Sequence, residues 1–142
     1  MENKNKPYWQ QRRDQKLKQP PSKTEEREKK EAKGVFFADQ VQKAPANCEN
    51  CGKSLAGTKA INPAAIVAHI LAKSKTSGCP SVALHPLNKF YACGDCHTNY
   101  DTKGAAFVQA MPIFPTLKER VAQFYHEIAP AEKRRVPEYF RP

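Results

Sequence analysis

The chain has 142 residues, 24 Lys and Arg against 14 Asp and Glu, a formal net charge of +10, and five cysteines. That length suits one domain better than two, and no apolar run approaches the roughly 18–20 residues that a membrane-spanning helix needs. The positive surplus favours a polyanionic partner, either nucleic acid or an anionic membrane surface.

Met1 to Lys18 is polar and charged, without the apolar stretch of a signal peptide, so the expected compartment is the cytoplasm. Residues 1–34 carry 11 basic and 6 acidic residues, a net +5, and form a basic N-terminal arm, disordered or helical. Pro20-Pro21 breaks any continuous helix, and Ser22 with Glu25 forms a capping box for a short charged helix over Lys23 to Lys33. Tyr8 and Trp9 beside Arg12 and Arg13 suit an arm that tracks DNA, while the composition equally suits a solvated tail. A membrane-surface role is disfavoured because the arm has no apolar stripe.

Gly34 marks the start of a second region, 35–142. Val35, Phe36, Phe37 and Val41 predict a short helix packed on a core. Cys48-Glu49-Asn50-Cys51-Gly52 has the form of a zinc knuckle, with Gly52 permitting the tight turn. Ile66 to Leu71 is an apolar, β-type stretch, followed by a loop over Lys73 to Pro80 and an irregular segment over Ser81 to Leu87. Cys93-Gly94-Asp95-Cys96 is the second knuckle. Beyond it, Leu117, Val121, Phe124, Tyr125 and Ile128 recur at helical spacing and predict an amphipathic helix over 116–128, bounded by Pro115 and Pro130. Lys133, Arg134 and Arg135 in the tail add to the basic surface.

Two C-x-x-C pairs separated by 41 residues supply four thiolates, the soft tetrahedral shell that Zn²⁺ takes in structural sites. The odd cysteine count and a reducing compartment both disfavour a disulfide framework. The expected ligands are Cys48, Cys51, Cys93 and Cys96, with no coordination position left open for catalysis. Cys79, in Ser77-Gly78-Cys79-Pro80, is expected to be a buried thiol and not a ligand.

Between and beside the knuckles lie His69, His85-Pro86-Leu87-Asn88 and His97, with Asn88 five residues before Cys93 and nine before His97. This order, together with Asp101 four residues after His97, resembles the HNH endonuclease family, particularly its small zinc-knuckle proteins of bacterial and phage genomes. The resemblance covers about residues 46 to 101. It implies an α+β fold: a small ββα-metal core stapled by the four-cysteine zinc site, with the C-terminal amphipathic helix and the basic arm added. It implies a metal-dependent DNA endonuclease in which His69 is the general base that deprotonates water. Asn88 would hold the ribbon that carries His69. His97 would bind a catalytic divalent cation, Mg²⁺, Mn²⁺ or another metal. The family commonly places Asp or His just before the base histidine, and here that position is Ala68; His85 or Asp101 are candidates to make up the missing ligand. His126 is expected on the surface. The implied partner is DNA, with a homodimer or partner protein for double-strand cutting, and the implied location is the host cytoplasm if the chain is phage-encoded. The alternative reading is a non-catalytic zinc-ribbon protein that binds nucleic acid or serves assembly, with a degenerate HNH site.

Overall fold

A computed structural model describes residues 7–9 and 22–142. The chain divides into two compact units, one ending at Lys33 and one spanning Gly34–Pro142. In the first, Tyr8 and Trp9 are largely exposed, at 74% and 62%. Arg12 and Arg13, expected beside them on a DNA-tracking arm, lie outside the described residues. Helix α1 spans Lys23–Gln42. Its start is a reciprocal capping box: the Glu25 amide donates to Ser22 Oγ at 3.2 Å and the Ser22 amide to Glu25 Oε2 at 3.3 Å. The helix expected to stop at Lys33 instead runs through Gly34. A mid-helix glycine costs only about 1 kcal/mol relative to alanine, and the apolar groups after it offset that cost. Phe37 and Val41 pack against the core of the second unit, while Val35 faces out.

After α1 comes a tight hairpin bridged by Asn47 and Ser54. Helix α2, Ala56–Ile61, and a 3-10 turn over Pro63–Ile66 lead into strand β1, Val67–Ala68. Strand β2, Phe90–Tyr91, pairs with it antiparallel, with Val67 opposite Tyr91 and Ala68 opposite Phe90. The β-type stretch expected over Ile66 to Leu71 therefore contracts to two residues. Pro63 starts a helical turn that takes Ile66 out of the strand, and beyond Ala68 the chain turns away to meet the Asn88 side chain instead of a partner strand. The segment expected to be irregular over Ser81 to Leu87 begins with a 3-10 turn, Pro80–Val82.

Helix α3, Gly94–Thr102, follows β2 at once, so the ribbon is continued by a helix. Helices α4, Ala105–Ala110, and α5, Phe114–Phe124, close the other side. The helix expected over 116–128 begins two residues early, because Pro115 sits in its first turn, where a missing amide proton costs nothing. It ends at Phe124 and tightens into a 3-10 turn over Tyr125–Glu127. Leu117, Val121, Phe124 and Ile128 are buried, as the periodicity requires. The tail is more than a basic surface. After helix α6, Pro130–Lys133, it buries Val136 and Phe140 at 1% exposure each in the core built around Phe90, Leu117 and Phe124. Arg120 of α5 reaches Glu49 of the first knuckle at 2.6 Å and the Lys89 carbonyl at 2.9 Å, and Glu49 in turn accepts the Tyr91 amide at 2.8 Å. One ion pair thus ties hairpin, β2 and α5 together. Among the described residues no helix is long and apolar enough to cross a membrane.

Candidate metal centre and histidine cavity

The two knuckles bring Cys48, Cys51, Cys93 and Cys96 together, with their sulfur atoms all within 4.8 Å of one another. Local structure explains each position. The Gly52 amide closes a turn on the Cys48 carbonyl at 3.0 Å, and Gly52 sits at φ +79°, where a side chain would be strained. Cys93 caps α3 and Cys96 lies in its first turn. The Asn50 amide donates to Cys48 Sγ and the Asn50 side chain to Cys96 Sγ, both at 3.4 Å. Four sulfurs around a tetrahedral Zn²⁺ at about 2.3 Å stand about 3.8 Å apart, and the Cys51 and Cys93 sulfurs are 3.7 Å apart. The donor set and its spacing therefore fit a metal such as zinc. Burial alone would raise the Cys48 thiol, but backbone amides of Cys51, Cys93 and Asn50 outweigh it and bring it down to about 7. Cys96 is pushed up to about 12 by burial and by the neighbouring thiols, against the Asn50 donor. Four thiolates in contact repel one another, and a dication removes that penalty. Cys79 stands apart, buried against the Glu132 carbonyl, with its thiol raised by burial and by the Glu132 charge.

His69 follows β1. Its Nε2 lies 2.9 Å from the Ala83 carbonyl, which can only accept, so Nε2 carries the proton and Nδ1 the lone pair of the neutral ring. Its ring meets Phe37 edge to face at 5.7 Å between centroids. His97, on α3, is arranged the opposite way round. Its Nδ1 donates to the Ala65 carbonyl at 2.6 Å, which leaves the Nε2 lone pair 3.4 Å from Asp101 Oδ2, one helical turn on. Two acceptors facing each other at that distance are stabilised by a shared proton or a cation. Asn88 is wholly buried between the two strands' connections. Its Oδ1 accepts the Leu71 amide at 2.7 Å, and its Nδ2 donates to the Leu71 and Val82 carbonyls at 3.1 Å each. It therefore fixes the backbone two residues beyond His69.

His69, His97 and Asp101 line one cavity of about 740 Å³, together with Tyr100, Lys73 and Arg135. Tyr100 donates to the Ile70 carbonyl and stacks edge-on against Phe90, and burial raises its hydroxyl well above the ordinary tyrosine value. Ala68 is buried within the ribbon and offers the cavity no ligand atom. Asn88 and the four cysteines do not line the cavity; they hold the elements that do. His85 points elsewhere. Its Nδ1 accepts the Leu87 amide, its Nε2 meets Glu127 at 2.8 Å, and its ring packs on Phe124, so it is a loop staple. His126 is exposed. Sequence reasoning left Asp101 unplaced although its i,i+4 spacing from His97 on a helix was visible. It had no access to the Ala65 and Ala83 carbonyls that set the two ring tautomers, or to Arg135. Compared with protein-family models, curated proteins and solved structures, the chain matches none of them.

Proposed function

We propose that this chain is a metal-dependent DNA endonuclease of HNH type, with Zn²⁺ held by Cys48, Cys51, Cys93 and Cys96 as a structural staple. The observation that carries the reading is the pair of histidines in one cavity. Each spends one ring N–H on a backbone carbonyl, and each therefore keeps a lone pair on its other nitrogen.

His69 acts as the general base through Nδ1, taking a proton from the attacking water, while the Ala83 carbonyl holds the ring and stabilises the proton already on Nε2. His97 Nε2 and the Asp101 carboxylate would hold a divalent cation, with Asp101 as the second ligand that Ala68 cannot supply. Mg²⁺ or Mn²⁺ bound there would stabilise charge developing on the phosphate and on the leaving 3′-oxygen. Asn88 is a positioning residue that ties the strand end carrying His69 to the segment leading into β2. The surplus of basic residues supplies salt-sensitive attraction to the DNA backbone.

The alternative, a zinc-bound nucleic-acid-binding protein without catalysis, makes no use of the paired tautomers. Supercoiled plasmid separates the two. The endonuclease converts it to the nicked form with Mg²⁺ or Mn²⁺, and His69→Ala and His97→Ala abolish the conversion. Zinc-loaded protein that leaves plasmid uncut with every divalent metal tried overturns the enzymatic reading.

A further inference from the structure

The C-terminal tail does something the resemblance does not cover. Arg135 lies between α6 and the buried Val136, yet its side chain lines the same cavity as His69, His97 and Asp101. Its Nη1 donates to two carbonyls of the loop that follows β1, those of Lys75 and Gly78, at 3.1 Å each. That loop is held closely. The Cys79 amide donates to the Ala72 carbonyl at 2.7 Å, and a β-carbon at Gly78 would lie 2.2 Å from the same oxygen. The two carbonyls therefore present a fixed cradle, and they use both hydrogens of Nη1.

A guanidinium has five N–H donors in one plane. With Nη1 occupied, the remaining edge is Nε–H beside Nη2–H, the side-on fork that matches two oxygens of a phosphate. Among the described residues no carboxylate forms an ion pair with Arg135. A cation that lines a cavity, is pre-oriented by two neutral acceptors and forms no ion pair of its own is arranged for an anionic ligand.

The geometry points to Arg135 as a phosphate clamp, gripping a backbone phosphate of DNA lying in the histidine cavity. This rests on the endonuclease reading for the identity of the anion. It assigns to the tail, beyond the region of family resemblance, a part in binding substrate. The loop carbonyls make the clamp rigid, so the phosphate is met without ordering a long side chain at the moment of binding.

The test is binding of a fluorescein-labelled DNA duplex by the full chain, without added divalent cation, across a salt series. Arg135→Gln keeps an amide donor for the loop carbonyls and loses the charge. It should weaken binding several-fold and reduce the slope of log K against log salt by about 0.9, the value for one phosphate contact. Arg135→Lys should keep the wild-type slope but bind more weakly, because an ammonium makes no fork. If Arg135→Gln has wild-type slope and affinity, the assignment is wrong. Should the variants not fold, the Arg135 Nε–H resonance of the wild-type protein serves instead. It should shift saturably with duplex, and an unmoved resonance overturns the clamp. Wild-type protein that binds DNA with this Arg135 dependence but never nicks it removes the endonuclease reading and leaves the clamp. Wild-type protein that does not bind DNA removes both.

Discussion

Replacing Asn88 by alanine is the sharpest test of how this fold holds its histidines. The side chain is 0% exposed and makes three hydrogen bonds to main-chain groups. Their loss is not equal in cost. The Val82 carbonyl also accepts the His85 amide at 3.0 Å, so it keeps a partner. The Leu71 amide and carbonyl lose theirs. A buried polar group left unsatisfied costs about 1–3 kcal/mol, and truncation leaves a small void besides. Asn88→Ala should therefore destabilise the fold by about 3–5 kcal/mol, a large share of the stability of a small domain. Asn88→Asp keeps the acceptor for Leu71 but turns a carboxylate oxygen onto two carbonyl oxygens, and should recover little. Urea denaturation with zinc held at saturating concentration measures both, with the metal kept constant because it shifts apparent stability by mass action. If Asn88→Ala lies within about 1 kcal/mol of the wild type, the accounting of orphaned groups is wrong, and so is the claim that this amide secures the His69 strand end.

Cys96→Ser should lower zinc content well below about one ion per chain, and chelation of the wild type should unfold the second unit, as read by circular dichroism with metal analysis. A chain that keeps its helices after complete chelation contradicts the structural role. Tyr100 provides a pH dependence. Its hydroxyl titrates above the ordinary value of 10.0 because of burial. A group raised in the folded state contributes stability that is complete below its unfolded value and lost as pH rises. Stability should therefore fall above pH 10.0, and Tyr100→Phe should flatten that alkaline limb while costing about 1 kcal/mol at neutral pH for the bond to Ile70. An unchanged alkaline slope in the variant assigns the loss to other groups.

Much of this architecture was legible because chemistry-bearing residues constrain spacing. Two C-x-x-C pairs need two turns that point inward, and Gly52 and the first turn of α3 supply them. The periodicity of Leu117, Val121 and Phe124 marked the face of α5 that is buried. Boundaries were less legible, because tertiary contacts decide them. Phe37 and Val41 extend α1 past a glycine that local propensity would have used as a stop. The ribbon is only two residues long because Pro63 and Asn88 reshape its ends, and neither effect follows from hydrophobic alternation. Lys133, Arg134 and Arg135 dominate the tail locally and mark it as basic, whereas Val136 and Phe140 close the core from a distance in sequence. At the candidate site, the residue types were visible but the tautomers were not. Those depend on the carbonyls of Ala65 and Ala83, which carry no sequence signal at all.

In the proposed reaction His69 supplies the base for a metal-dependent cut in DNA. The direct measurement is plasmid nicking by His69→Ala in Mg²⁺, with and without added imidazole, against wild type and with zinc content matched. With that role for His69 the variant is inactive, and imidazole, a diffusible copy of the missing base, restores part of the nicking. A His69→Ala protein that nicks as fast as the wild type contradicts it.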